Sequence, residues 1–303
     1  MRIGIFGGEV AGHGGIDEVV ASARRAADEG FASYWMPQIF GLDALTSLAV
    51  IGREVPDIEL GTAVVPTYPR HPMMLAGQAL TTQAISGGRL TLGIGLSHQL
   101  VIEAMFGQSF AKPVRHMREY LSILMPLVHE GTVSFRGETL SANGTLNVAG
   151  ATPFPVLIAA LGPKMLELAA TAADGTITWM TGPGTLASHT VPAITKAAEE
   201  AARPPPRVCV GLPVCVTDDP DGARERAARV FAVYDSLPSY KAMLDREGAT
   251  GPADVAIVGD EATVASAVRR LAESGATEFA AVEYGSVSKG DRERTRELLR
   301  SLL

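Results

Sequence analysis

The chain has 303 residues, a formal charge of −7 and 47% hydrophobic content, which is ample for a large core in one big domain or two small ones. The acidic balance gives no reason to expect nucleic acid as a partner, and no run approaches the ~18 apolar residues that a membrane-spanning helix needs. An anionic small molecule is not excluded, because backbone amides can hold one.

Taken in order, Arg2–Gly8 reads as a first strand, too short and too glycine-rich for a signal peptide. A glycine-rich loop follows over Glu9–Gly15, then an amphipathic helix over Ile16–Glu29, closed by Gly30. Ser33–Gln38 is a second strand, and Asp43 stands where an N-cap belongs before a helix over Ala44–Arg53. Ile58–Val65 is a third strand, which the prolines at Pro66, Pro69 and Pro72 must end. A polar lip (Thr67, Tyr68, Arg70, His71) leads into a helix over Met73–Ile85 that stops at Ser86-Gly87-Gly88. Leu90–Leu96 is a fourth strand, with a short helix starting near Ser97 and a longer one over Pro113–Glu130. Weak alternation around Arg136-Gly137 and Asn143-Gly144 predicts a hairpin insertion over residues 131–150.

Pro155–Leu161 is a fifth strand with a helix over Pro163–Ala173, and Gly175–Met180 a sixth with a helix over Thr185–Ala202. After the triple proline 204–206 comes a seventh strand, Arg207–Thr217, followed by helical sequence over Asp221–Tyr234 and on to about Arg246. Gly251–Gly259 reads as a loop, Glu261–Ser274 as a helix, Glu278–Tyr284 as the eighth strand and Asp291–Leu302 as the last helix. The two cysteines, Cys209 and Cys215, share one strand, too far apart to bond. With no metal-ligand spacing, they read as reduced buried thiols of a cytoplasmic protein.

Continuous apolar strands alternating with helices imply a parallel sheet covered on both faces. Eight such units in a chain of this length predict a single closed (β/α)8 barrel over residues 1–303. A doubly wound open sheet is the rival, but no Gly-x-Gly-x-x-Gly opens a helix after the first strand. In a barrel, function gathers at the C-terminal strand ends. That selects Gly7 to Glu9, Trp35 to Gln38, Ala63 to Thr67, Gly95 to His98, Ala160 to Lys164, Trp179 to Gly182, Cys215 to Thr217, and Glu283 to Gly285.

Within that set, Leu161-Gly162-Pro163-Lys164-Met165 is the clearest local signal. Pro at the first helical turn wastes no donor, Gly162 lets a ligand approach, and the free amides with the positive dipole end suit a phosphate. Thr181-Gly182-Pro183-Gly184 repeats the design one unit later. Gly93 and Gly95 in a buried strand imply that something flat, or another backbone, lies against them. His98 is the best-placed of the six histidines for proton transfer. His13 and His71 sit on top-face loops, whereas His116, His129 and His189 read as surface or packing residues in helices. Trp35 reads as core, and Glu9 and Glu283 as weaker candidates for acids at the mouth. No Ser/His/Asp arrangement, His-x-x-x-His pair, Cys-x-x-Cys or Walker loop supports a hydrolase or a metal site.

Several of these stretches together resemble one family. They are Gly61-Thr62-Ala63-Val64-Val65-Pro66 with Arg70-His71-Pro72, Gly88-Arg89-Leu90, Leu92-Gly93-Ile94-Gly95, Ala159-Ala160-Leu161-Gly162-Pro163-Lys164, and Ala173-Asp174-Gly175. In order and spacing the chain is similar, over nearly its whole length, to the bacterial luciferase-like family, and within it to the branch of oxidoreductases that use the deazaflavin coenzyme F420. The resemblance implies a (β/α)8 barrel and a non-proline cis peptide at Ala63–Val64, which with Val65 bulges the third strand under the deazaflavin. It also implies Gly93 and Gly95 beside the coenzyme, and a phosphodiester on the amides of Gly162 to Met165.

Where sugar-phosphate and alcohol dehydrogenases of this branch carry an acid and a histidine after the second-strand tryptophan, this chain has Gln38 and Ile39. Their fourth-strand glutamate is matched by His98. The resemblance therefore implies reduction of an activated C=C or C=N bond of a small molecule rather than alcohol oxidation. His98 and Gln38 are the candidate catalytic positions, His98 as proton donor, and the protein is expected to be a homodimer. The alternatives are an FMN-dependent monooxygenase of the same family fed with reduced flavin, and a protein that only binds flavin or deazaflavin.

Overall fold

The computed structural model describes residues 1–8, 12, 14–284 and 290–303. Glu9, His13 and Gly285, singled out from the sequence, lie outside the described residues. In chain order the elements are β1 (Arg2–Phe6), α1 (Ile16–Asp28), β2 (Ser33–Met36), α2 (Ala44–Glu54), β3 (Glu59–Thr62), β4 (Val65–Pro66), α3 (Pro72–Ile85), β5 (Leu90–Gly95) and α4 (Pro113–His129). Then follow β6 (Thr132–Arg136), β7 (Ser141–Thr145), β8 (Val156–Ile158), α5 (Pro163–Thr171), β9 (Gly175–Trp179), α6 (Pro183–Thr185) and α7 (Val191–Glu200). The chain closes with β10 (Arg207–Val216), α8 (Pro220–Val230), α9 (Pro238–Glu247), β11 (Ile257–Gly259), α10 (Glu261–Glu273), β12 (Glu278–Glu283) and α11 (Asp291–Ser301).

The main sheet has ten strands; β4 continues β3 and β11 is appended to β10, which leaves eight staves. They run β1-β2-β3-β5-β8-β9-β10-β12, every pair is parallel, and β12 returns to β1. The sequence expectation of a (β/α)8 barrel is met, for the reason it was made. The staves are apolar throughout because one face meets the barrel interior and the other the helices. Between α4 and β8 the chain makes the antiparallel hairpin β6–β7. Glu119 of α4 fastens its turn by accepting from the amides of Glu138, Thr139 and Leu140, each at 2.9 Å. None of the described helices is long and apolar enough to cross a membrane.

Three expectations are corrected. The third strand is not continuous: it breaks after Thr62, resumes at Val65 and pairs there with β5 (Val65↔Ile94, Pro66↔Gly95). Gly251–Gly259 is not a loop. It holds a 3-10 turn at Pro252–Val255 and the short strand β11, which extends the sheet beside the far end of β10. Three apolar residues before a glycine are too few for periodicity to register. The helix expected over Thr185–Ala202 starts earlier, at Pro183, and passes through a π-helical turn at Leu186–Thr190 before α7.

The N-terminal end of the barrel is closed by charge. Arg207 donates to Glu59 and Glu278, both at 2.8 Å, and to Thr91 at 3.1 Å. Arg2 reaches Glu59 at 2.7 Å. Trp35, fully buried, donates its indole N–H to Glu278 at 2.9 Å and lies across Gly61, where a Cβ would come within 2.2 Å of the ring. Trp35 is therefore core, as its sequence suggested, and this end carries stability rather than chemistry.

Candidate active site

At the opposite end, the break between β3 and β4 is a cis peptide at Ala63–Val64, at the bond which the resemblance implied. Thr62 secures the strand just before the break: its hydroxyl donates to the Gly93 carbonyl at 2.8 Å and accepts from the Gly93 amide at 2.9 Å. The glycines of β5 are what make room. A Cβ on Gly93 would sit 2.0 Å from the Thr62 carbonyl oxygen, and one on Gly95 would sit 2.7 Å from Val64 Cγ2. Another backbone, the second of the two possibilities, thus lies against Gly93, whereas side chains of Val64 and Ala159 lie against Gly95. Ala63 and Val64 are left half-buried on the mouth side.

Gly95 leads directly to the next stave. Its Cβ position is 3.2 Å from the Ala159 Cβ, and the Ala159 amide donates to the Ile94 carbonyl at 2.8 Å. Three residues beyond Ala159, Gly162 opens α5 with Pro163 in its first turn and no side-chain cap. Gly162, Pro163 and Lys164 are exposed and Met165 is buried, and nothing lies within 4 Å of where a Cβ on Gly162 would be. His189 fixes the approach to this helix end through its Nε2, 2.9 Å from the Leu161 carbonyl. The strand break and the open, uncapped helix N-terminus therefore sit on the third and fifth staves, on either side of β5.

The second Gly-Pro start is different. The carboxylate of Glu247 accepts from the amides of Gly184 (2.9 Å) and Thr185 (2.6 Å). That end is already filled by a side chain of α9, and the expected second anion site is withdrawn.

His98 follows β5, half-buried, its ring 5.7 Å from that of Tyr240. Burial lowers its pKa from the ordinary value of 6.5. Ser97, just before it, has φ +60°, which turns the chain out of the strand. Gln38 has local partners: its side-chain carbonyl accepts from the Ala44 amide at 2.8 Å and faces Arg70 Nη2 at 3.5 Å. Asp43 caps α2 through the Thr46 amide (2.9 Å), as expected, and also pairs with Arg70. His71 caps α3 through Nδ1 and meets the Ser141 carbonyl at 3.2 Å with Nε2.

Glu283 does not enter the mouth. It points into the helical layer and pairs with Arg296 of α11 at 2.8 Å, and burial raises its pKa.

Sequence reasoning missed His116. It is buried, its Nε2 is 3.0 Å from Thr67 Oγ1, and its ring is stacked on that of Tyr68 with centroids 3.9 Å apart. Four residues on, the Tyr120 hydroxyl donates to the Arg70 carbonyl at 3.0 Å. α4 thus holds the polar lip that follows the strand break. The four-residue spacing of His116 and Tyr120 was the available signal. Burial pushes the His116 pKa down to about 4, so the ring is neutral near pH 7.

A closed parallel barrel with an interrupted third stave, and an open helix N-terminus two staves on, defines a (β/α)8 protein whose candidate site is at the C-terminal face. Residues 1–278 match the luciferase-like monooxygenase family, and the chain belongs to that family. Among sequence relatives, a Mycobacterium tuberculosis protein provisionally named as a coenzyme F420-dependent oxidoreductase is 30% identical over 281 residues, covering 87% of this chain and 78% of its own. The 5,10-methylenetetrahydromethanopterin reductase of Methanolobus tindarius is 28% identical, covering 84% of this chain and 78% of its own. In fold, the chain is similar to the F420-dependent tetrahydromethanopterin reductase of Methanopyrus kandleri, with a TM-score of 0.81, 22% identity, and 99% and 97% of the two chains covered.

Proposed function

We propose that this protein is an F420-dependent oxidoreductase that reduces an activated C=C or C=N bond of a small organic molecule. The observation that carries the reading is that the Ala63–Val64 break and the open N-terminus of α5 flank β5 at the same end of the barrel, with Gly95 between Val64 and Ala159. The break offers a half-buried apolar platform and the helix end the amides of Gly162 and Lys164 beside the Lys164 side chain. A flat ring bearing an anionic tail needs both at once, and the name of the Mycobacterium tuberculosis relative supplies the coenzyme that fits.

When bound, the deazaflavin supplies a hydride at its carbon 5. The chain's own residues supply position, dryness and a proton. Ala63 and Val64 would support the ring from one side, with the buried Val65 fixing them from behind. Gly93 and Gly95 act one step removed, by leaving the room that the break occupies. Along the turn from Gly162 to Met165, the amides of Gly162 and Lys164 would take the phosphodiester, and the Lys164 side chain would add charge. His98 holds the proton for the acceptor. Gln38 positions the start of α2 and the Arg70 side chain. With Ile39 beside it, no acid–histidine pair stands after β2, which favours reduction of the substrate over oxidation of an alcohol.

The test is a fluorescence titration of the purified protein with oxidised F420 and, separately, with FMN. Micromolar binding of F420 with much weaker FMN binding is expected. FMN binding the more tightly would overturn the reading in favour of a flavin-dependent monooxygenase.

A further inference from the structure

The excursion between β10 and β11 carries α8, a 3-10 turn at Ala232–Ser236 and α9, and it brings aromatic side chains onto one side of the mouth. Starting from the barrel interior, Phe6 at the end of β1 meets Trp179 at the end of β9 edge-on, with centroids 5.8 Å apart. Trp179 meets both Phe231 and Tyr234 at 5.8 Å. Tyr234 meets Tyr240 at 5.1 Å, and Tyr240 meets His98 at 5.7 Å. The rings form one unbroken wall from the interior to the candidate proton donor. Phe6 and Phe231 are buried, but Trp179, Tyr234, Tyr240 and His98 each keep part of their surface open.

Packing of the helical layer does not require this. A core aromatic cluster would be buried at every member, and four half-open rings in series instead present edges and faces to whatever enters the mouth. The wall is also free of charge. Lys241 of α9 is paired with Asp245 at 2.7 Å, and Glu247 is held by the α6 amides, which also ties α9 down over the barrel. Burial raises the pKa of Tyr234 and of Tyr240, and lowers that of His98, so all three rings are neutral at pH 7.

We infer that the aromatic wall from Trp179 to His98 is the substrate subsite, and that the substrate is an uncharged molecule with a planar aromatic body carrying its reducible bond at the edge. The inference rests on the proposed function only in taking this mouth as the substrate site. An aliphatic substrate with the same reducible bond fills none of the offset and edge-to-face positions that the rings offer. A charged one would be desolvated against rings that offer it no opposite charge.

The test compares two neutral lactones with the same activated C=C bond, coumarin and 5,6-dihydropyran-2-one, which differ in the fused benzene ring. Calorimetric titration of the F420-loaded protein, repeated without F420, is expected to give tighter binding of coumarin. Tyr240→Leu is expected to weaken coumarin about two- to tenfold, the worth of one aromatic contact, and to leave the dihydropyranone unchanged. Tyr240→Phe is expected to retain the preference. Unchanged F420 affinity in Tyr240→Leu shows that the variant is folded. Equal affinities for the two lactones, or equal losses for both in Tyr240→Leu, would overturn the inference. Loss of F420 binding with the coumarin preference intact would instead sink the proposed function and leave the subsite standing.

Discussion

Val64 occupies the space that a side chain at Gly95 would need: an ideal Cβ on Gly95 would lie 2.7 Å from Val64 Cγ2. The neighbouring glycine is tighter still, its Cβ position 2.0 Å from the Thr62 carbonyl oxygen. One obstacle is the tip of a side chain and the other is backbone, so two substitutions of the same size should differ. Gly93→Ala must move a strand and is expected to cost about 1–3 kcal/mol or more, as overpacking does. Gly95→Ala can be relieved by shifting Val64 and should cost less. Because Val64 is part of the proposed platform, Gly95→Ala should still weaken F420 binding. Urea unfolding and F420 titration of both variants check this, and equal stability losses would show that the β5 glycines do not shape the break as described.

The helix end at Gly162 allows stability and binding to be driven apart. Its φ of −84° suits any residue and nothing crowds the Cβ position. Gly162→Asp would place a carboxylate at an uncapped N-terminus, where it can accept from the free amides. The gain over glycine is a few tenths of a kcal/mol. That same carboxylate would take the amides and charge proposed for the phosphodiester. The variant is expected to melt at or above the wild-type temperature while F420 affinity falls at least about tenfold, a difference of ~1.4 kcal/mol. Undiminished affinity would remove the anion site from the model of function. Lys164→Ala, by contrast, should cost only a few-fold, increasingly masked as salt is raised.

His98 tests the proton. Burial lowers its pKa below 6.5, so at neutral pH most of the population is neutral and only the protonated minority can donate. Turnover limited by that proton should fall as pH rises through the lowered pKa, with the steepest loss on the acid side of 6.5. His98→Ala should lower the rate and flatten the profile while leaving F420 binding in place. An unchanged rate in His98→Ala would show that the proton comes from elsewhere.

His116 gives a stability effect of defined sign. Its folded-state pKa, about 4, lies below the unfolded value of 6.5. Above 6.5 the ring is neutral in both states, and pH does not alter its contribution. Between 6.5 and 4 the unfolded chain takes up a proton that the folded one refuses, so stability is lost as pH falls. Wild type should exceed His116→Gln in stability at pH 7.5 through the Thr67 hydrogen bond and the Tyr68 stack. The gap should narrow by pH 5. Denaturation at both pH values checks it, and a gap that widened on acidification would contradict the assignment of a buried neutral ring.

What could be read beforehand was whatever repeats or sits at a strand end. The barrel followed from apolar runs alternating with helices. Gly162-Pro163 followed from the chemistry of helix starts, and Asp43 from its place before α2. What escaped depended on partners far along the chain. Nothing local distinguishes Gly162-Pro163 from Gly182-Pro183; the second is closed by Glu247, 62 or 63 residues away. Glu283 reads as an acid at the mouth, yet β12 alternates, and the face that holds Glu278 inside the barrel turns Glu283 outward to Arg296. The aromatic wall joins residues of β1, β9, the loop after β5 and the α8–α9 excursion, so no window of sequence contains it. The Gly93 and Gly95 positions were legible as close approaches, while the partners, Thr62 backbone at one and the Val64 side chain at the other, were not.

Arg207 carries the last prediction, because it separates the two ends of the barrel. Its guanidinium is bonded to Glu59, Glu278 and Thr91, and Glu278 is 1% exposed. Arg207→Met leaves the Glu278 carboxylate buried with only the Ser33 hydroxyl, the Trp35 indole and the more distant Arg2 (3.8 Å) to answer it. Breaking one side of a buried pair costs about 3–5 kcal/mol. Arg24 and Glu54, 3.4 Å apart with both side chains about half exposed, supply the contrast. Arg24→Met should cost no more than ~1 kcal/mol, because water screens the pair. Neither change touches the strand break or α5, so F420 affinity measured below the melting temperature should be that of wild type in both. A large fall in affinity with Arg207→Met would mean that the charge at the closed end of the barrel and the site at its mouth are coupled through the staves between them.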